Sequence, residues 1–325
     1  MITPALNLLL SAYPDAELHV LTSREGHRVL RGYDPRLTRF LVFRSGLFWE
    51  IIERRRIRRE IRKQQYSHAF VFEADRRFHR LLENAAESTH LLQPGPPVRH
   101  YSARCLSLIE QVLAEPMSTG WVTLPVTADG RRKAEAYFQA NNIDRGACLV
   151  GFHTTFSQAS AHPFRKREMR LHRRWPSYHF VRLAQLLKRH AHEEGIPLRL
   201  IMDVLPQERR LVEEIERGSG GIVQLIAAPP DFERYKAVLE RMALLVTPDT
   251  GPMHIAAAIG TPLVALFSRK SPEDCGPFAL PAKYRVLRAE DSPNPESGLA
   301  AITPEVVFDA CTPFLAAWRS TISYY

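Results

Sequence analysis

The chain is poor in the features that would cross-link it or place it in a bilayer. It has only four cysteines, Cys105, Cys148, Cys275 and Cys311, which lie far apart and form no C-x-x-C pair. Such spacing disfavours a disulfide scaffold or a thiolate zinc site and predicts free buried thiols in a reducing compartment. No run approaches the roughly 18 consecutive apolar residues of a membrane span. The apolar residues after Met1 carry no basic segment before them and no small-residue cleavage site behind them, so no signal peptide is read there and cytosol is the expectation. No G-x-G-x-x-G follows a strand pattern, which argues against a nicotinamide oxidoreductase.

What is abundant is positive charge. Lys and Arg number 44 against 35 Asp and Glu, a net +9. A protein so charged is drawn to polyanions: nucleic acid, an anionic membrane face or a phosphorylated substrate. Charge alone does not choose among them. The length of 325 residues suits two domains, each with its own core.

Strand and helix patterns alternate through both halves, which predicts α/β domains with parallel sheets covered on both faces. In the second half, residues 148–152, 198–204, 222–226, 243–247, 263–267 and 284–288 read as strands. Helices are expected from Trp175-Pro176-Ser177 onward, over 206–217 closed by Gly218, from a cap at Asp231 to Arg241, and over 304–318. In the first half, helices are expected over 6–12, 47–64 and 101–113, with a further one capped by Asp129 up to Gln139. Strands are expected over 17–21, 39–43 and 68–72. Asn141-Asn142 with Gly146 reads as the hinge, dividing the chain into 1–146 and 147–325. A doubly wound domain normally opens on a central strand. Here the first pattern is already a helix, so the first sheet is expected to be short of that strand.

The most informative stretch runs from Leu244 to Pro262. A buried strand ends at Thr247, a turn follows at Asp249-Thr250-Gly251, and Pro252 opens a helix that Gly260 is placed to end in a left-handed conformation. Free N–H groups at such a helix start, with the helix dipole behind them, attract an anion. Gly251 would let a phosphate approach, Thr250 would offer a hydroxyl, and His254 would point at the same anion. Ala256, Ala257 and Ala258 would let the helix sit close to the sheet. The plainer reading is an ordinary strand-to-helix turn with a capping Asp and a buried His.

Taken whole, Asp249-Thr250-Gly251-Pro252-Met253-His254 through Gly260-Thr261-Pro262 resembles the signature of glycosyltransferase family 9, the heptosyltransferases. Thr3-Pro4-Ala5-Leu6 with Tyr13-Pro14-Asp15-Ala16 is similar to that family's first helix and turn. His153-Thr154-Thr155 is similar to its first nucleotide-domain loop. Arg173-Arg174-Trp175-Pro176 resembles the family's K-x-W-P element, with Arg173 in the lysine's place. Glu208 falls where the family often has a glutamate near the nucleotide ribose.

The resemblance implies a GT-B arrangement, two Rossmann-like domains facing across a cleft. It also implies inverting transfer of heptose from ADP-heptose to a lipopolysaccharide core precursor. The second domain would bind the nucleotide-sugar through Thr154, Thr155, Arg173, Glu208, Asp249, Thr250, Gly251 and His254; the first would bind a phosphorylated lipid acceptor. No two aspartates lie two apart, so the D-x-D metal element of the other major glycosyltransferase fold is absent and a metal-independent, cofactor-free reaction is expected. The family's base, an aspartate in a Gly-Asp element ahead of the position of Thr3, has no counterpart here, and the catalytic residue is unassigned. Phe156 to Leu171 is longer than the family's usual connection and adds Arg165, Lys166, Arg167 and Arg170 beside the expected diphosphate.

Two weaker signals remain. The basic helix around Arg54–Lys63 has no interleaved aromatics and no DNA- or RNA-binding motif around it. A solvated face is its plain reading, contact with anionic lipid the functional one, and nucleic acid is not expected. His153, His162, His172 and His179 match no common metal-ligand spacing. The expected protein is a transferase peripheral to the cytoplasmic face of the inner membrane. The alternatives are a non-catalytic or truncated member that binds nucleotide-sugar or lipid, and a nucleotide-sugar epimerase of the same fold.

Overall fold

In a computed structural model the chain forms two compact units, Met1–Thr123 and Leu124–Tyr325. Residues 1–43, 49–93, 99–113, 120–154 and 172–322 are described.

The first unit runs α1 (Thr3–Ala12), β1 (Leu18–Thr22), α2 (Arg24–Leu30), β2 (Leu37–Val42), α3 (Trp49–Arg62), β3 (Tyr66–Val71), α4 (Arg76–Leu82), β4 (Ala86–Leu91) and α5 (Tyr101–Leu113). Short polar side chains start its small helices. Ser23 accepts from Gly26 N–H and Asp75 from Arg77 N–H, each satisfying a donor that the first helical turn leaves free. β1 pairs in parallel with β2, and β3 with β4, yet the four strands form two separate sheets.

The backbone shows what that division leaves open. Leu18 N–H donates to Arg36 and Thr22 C=O accepts from Phe43, so the peptide groups of His19 and Leu21 turn away from β2. Likewise Val71 C=O accepts from Leu92, so those of His68 and Phe70 turn away from β4. Among the described residues these four make no backbone hydrogen bond. Helices hold the two strand pairs together instead. Leu8, Leu9 and Ile109 pack with Leu18 of one pair and Phe70 of the other. Ile57, Ile61 and Leu81 pack with Leu41 and Tyr66. In α3, Ile57 and Ile61 lie four apart and face inward, while Arg55, Arg58, Arg59 and Arg62 are exposed.

The second unit runs α6 (Ala128–Ala140), β5 (Cys148–Phe152), α7 (Ser177–Glu193), β6 (Leu198–Val204), α8 (Arg209–Gly218), β7 (Val223–Ala227), α9 (Phe232–Arg241), β8 (Leu244–Pro248), α10 (Gly251–Ile259), β9 (Leu263–Phe267), α11 (Pro272–Cys275), β10 (Tyr284–Arg288) and α12 (Pro304–Ile322). Its six strands make one parallel sheet in the order β10-β9-β8-β5-β6-β7. β5, β8 and β9 are buried at every residue, which is why they read as unbroken apolar runs. Trp175 is fully buried among Phe180, Leu183 and Leu187, and its indole N–H donates to Ile302 C=O at 2.8 Å. Among the described residues no single helix is long and apolar enough to cross a membrane.

Several details differ from expectation. The units divide at Thr123/Leu124, not at 146, because α6 packs on α9. The Thr127 hydroxyl meets the Glu233 carboxylate at 2.7 Å, Arg131 pairs with Glu240 at 2.7 Å, and Lys133 reaches Asp231 at 3.1 Å. Thr127, not Asp129, caps α6 by accepting from Gly130 N–H. Gly218 does not close α8; the left-handed turn comes at Gly220 and Gly221. α2, α11 and β4 lie where no element was expected.

Candidate nucleotide site

The sheet order of the second unit fixes where a site can form. The chain lays β5, β6 and β7 toward one edge, then returns to lay β8, β9 and β10 toward the other. Between β5 and β8 the connections leave in opposite directions, and a crevice opens at the carboxyl ends of the strands. Three segments meet there: the loop after β5, the turn from β8 into α10, and the loop after β9.

The turn into α10 is built as its residues predict. Gly251 is the first helical residue and Pro252 the second, and Gly260 ends the helix at φ 89°. Ala256 and Ala257 are buried against the sheet. Thr250 and Gly251 take no backbone partner for their N–H groups among the described residues. Among the described residues a Cβ built on Gly251 would meet nothing within 4 Å, so they leave the space beside this helix start open. An anion approaching there meets the free N–H groups and the positive end of the helix dipole.

Asp249 organises the polar groups around that opening. Its N–H donates to Leu266 C=O at 3.1 Å, fixing the turn to β9. One carboxylate oxygen lies 2.9 Å from Lys270 Nζ and the other 3.9 Å from His254 Nε2. The Asp249 C=O accepts from the Arg173 guanidinium at 3.3 Å. Buried Trp175 anchors the segment that delivers Arg173. The neighbouring Arg174 is directed elsewhere, to Glu214 at 3.0 Å. Burial pushes the nearby Cys275 thiol up to about 11, and the Asp249 carboxylate adds to that; Cys275 is held as a thiol.

The expected residues do not all behave alike. Asp249, Gly251, His254 and Arg173 lie together around the start of α10. Thr154, at the end of β5, is buried, and its hydroxyl has no hydrogen-bond partner in the described structure. Its neighbour His153 ties this loop to β8 through Val246 C=O. The Thr250 hydroxyl is not offered outward: it is buried 3.0 Å from the Thr247 hydroxyl, leaving the Thr250 backbone as its contribution. Glu208 folds back on its own turn, its carboxylate accepting from Leu205 N–H at 3.1 Å. Thr155, His162 and the basic residues Arg165, Lys166, Arg167 and Arg170 lie outside the described residues.

Sequence reasoning missed Lys270. It also missed the His172–Ser268 contact, 2.7 Å from Nδ1 to the hydroxyl, which fastens the loop after β9. Neither segment carries periodicity, and their closeness to Asp249 follows only from β9 lying beside β8. A buried polar group behind the sheet was missed as well. Asp203, on β6, lies 3.5 Å from the Arg234 guanidinium, and the guanidinium lies over the Tyr137 ring. Burial raises the Asp203 carboxyl to about 6 despite that arginine.

The sequence matches glycosyltransferase family 9 (heptosyltransferase) over residues 92–300, most of the chain. The chain belongs to glycosyltransferase family 9. Among curated relatives, this family 9 chain is 26% identical to lipopolysaccharide heptosyltransferase 2 of Salmonella typhimurium over 147 residues, 42% of the chain and 41% of the relative. The match thus spans about two-fifths of that relative. Among solved structures, a family 9 glycosyltransferase from Veillonella parvula superposes with a TM-score of 0.77 at 20% identity, covering 97% of this chain and 93% of the other. ADP-heptose lps heptosyltransferase II of E. coli gives a TM-score of 0.70 at 19% identity, covering 97% and 95%. Likenesses at such identities show the fold: α/β with parallel sheets, of the GT-B type.

Proposed function

We propose that this chain is an inverting, metal-independent glycosyltransferase that moves heptose from ADP-heptose to a phosphorylated lipopolysaccharide core precursor. The observation that carries this reading is the open start of α10, with Arg173, His254 and Lys270 grouped around Asp249. In the transfer, an acceptor hydroxyl oxygen attacks the anomeric carbon and the bond from that carbon to the diphosphate oxygen breaks. The electron pair leaves with ADP. Charge therefore grows on the diphosphate in the transition state, and fixed cations and N–H dipoles aimed at it lower the barrier. The Thr250 and Gly251 N–H groups, the helix dipole and Arg173 supply them here, with His254 in the first turn. The orphaned Thr154 hydroxyl faces the same end of the sheet and is suited to a phosphate or sugar oxygen.

The second unit is thus the donor side and the first unit the acceptor side. The exposed arginines of α3 support a peripheral place on an anionic, inner-leaflet surface, each basic group near such a surface contributing about 1 kcal/mol. A second reading, binding of the nucleotide-sugar without turnover, is favoured by one observation, the divided sheet of the first unit.

Product analysis tests the choice. With ADP-heptose and a heptose-accepting core precursor, the acceptor should gain the mass of one heptose as ADP is released, with or without EDTA. Binding of ADP-heptose with no labelled acceptor would favour the second reading. A strict requirement for a divalent cation would overturn the metal-independent mechanism.

A further inference from the structure

Lys270 lies outside the segments that the family resemblance marks, yet its ammonium reaches the centre of the candidate site. It sits on the loop after β9, and that loop is fastened at the two residues just before it. Ser268 meets His172, and the Arg269 N–H donates to the Glu290 carboxylate. Arg269 itself adopts a left-handed φ of 64°. A residue with a Cβ is strained in that region, and such strain persists where surrounding contacts over-determine it, commonly at ligand-binding sites. The turn it makes places Lys270 Nζ 2.9 Å from an Asp249 carboxylate oxygen, while about half of the side chain stays exposed, 54%.

The Lys270 ammonium carries three donors, and Asp249 accounts for one. Asp249 immediately precedes Thr250 and Gly251, whose N–H groups have no backbone partner among the described residues at the start of α10. Arg173 approaches the same residue from its carbonyl side. We propose that Lys270 is a donor-binding residue that contacts the diphosphate of the nucleotide-sugar, with the Asp249 carboxylate holding the ammonium beside the start of α10. This inference rests on the reading of the second unit as the nucleotide-sugar side and adds to it the group that distinguishes a nucleoside diphosphate from a monophosphate. An ammonium on a flexible stem is a point charge whose attraction grows with the charge of its ligand. Removing it should therefore cost ADP more than AMP, and should cost adenosine nothing.

The test is calorimetry of ADP, AMP and adenosine with wild-type protein, Lys270→Met and Lys270→Arg. In Lys270→Met, ADP affinity should fall about ten-fold, equivalent to ~1.4 kcal/mol, with a smaller loss for AMP and none for adenosine. Lys270→Arg should recover most of the ADP affinity, and the salt dependence of ADP binding should be shallower in Lys270→Met than in wild type. Equal ADP affinity in wild type and Lys270→Met overturns the inference. So does an equal loss for all three ligands, which would make Lys270 only a support for the Asp249 turn. If the wild-type protein binds none of the three, the nucleotide-sugar reading fails first, and that outcome is distinct from either of the others.

Discussion

In the second unit every strand but the two outermost has a neighbour on each edge; in the first unit, among the described residues, no strand does. The same alternation of apolar strand and amphipathic helix builds both. What differs is how the backbone is satisfied. β5, β8 and β9 are wholly buried, with their peptide groups in ladders. β1 is half-buried along its length, and the inward-turned groups of His19, Leu21, His68 and Phe70 find no backbone partner among the described residues. Side chains bridge the two pairs instead, as where His19 Nδ1 meets the Tyr66 hydroxyl at 2.7 Å. An unbroken sheet fixes its loops to one another, so three segments distant in sequence converge on Asp249. Two strand pairs joined, among the described residues, through helices and side chains give a softer frame.

The largest effect that would sharpen this comparison is on hydrogen exchange. The amides of His19, Leu21, His68 and Phe70 should exchange at least about 100-fold faster than those of Val150, Val246 and Ala265, since local opening follows backbone exposure. Uniform protection across both sets would abolish the distinction. Trp175→Ala should follow, costing the second unit about 3–5 kcal/mol by leaving a large cavity and an unpaired carbonyl at Ile302. Denaturant unfolding followed by exchange in β8 measures it.

Asp203 gives the next effect. Its carboxyl is raised from 3.8 to about 6 in the fold, so folding favours its protonated form. Below about pH 4 it is protonated whether folded or not and makes no difference. As pH rises from about 4 to about 6 the fold loses up to about 3 kcal/mol through this group, and above that the loss is complete. Asp203→Asn should remove this part of the pH slope whatever its absolute stability; an unchanged slope would assign the effect elsewhere. The smallest effect comes from two glycines at opposite ends of α10. Gly260→Ala should cost about 1 kcal/mol because its φ is left-handed. Gly251→Ala, with open space before it, should leave stability unchanged while weakening ADP binding.

How much of this was legible in the sequence follows the same division. Strands 148–152 and 263–267 stand where apolar runs put them, because a strand buried on both faces has no polar residues to blur it, while 198–204 and 284–288 keep enough apolar residues around Arg199, Asp203, Arg285 and Arg288 to be read as strands. β4, Ala86–Leu91, was missed because Glu87, Ser88, Thr89 and His90 leave it without an apolar period. The Asp249–His254 turn was legible because each residue type has a local reason to be there. Lys270 was not, since its place depends on strand order, a long-range property. Thr250 was read with its hydroxyl outward because a lone sequence does not reveal that Thr247 lies beneath it.

The central claim, that the start of α10 holds the donor diphosphate without a divalent cation, is tested most directly by calorimetry of ADP in the presence of EDTA. The proteins to compare are wild type, Asp249→Ala and His254→Ala. The account predicts binding to wild type. Asp249→Ala should weaken it by up to about ten-fold, ~1.4 kcal/mol, because the carboxylate acts through the Lys270 ammonium it holds, His254→Ala should weaken it by less, and both variants should stay folded. Equal ADP affinity in all three proteins, or binding that vanishes with EDTA and returns with magnesium, would contradict it.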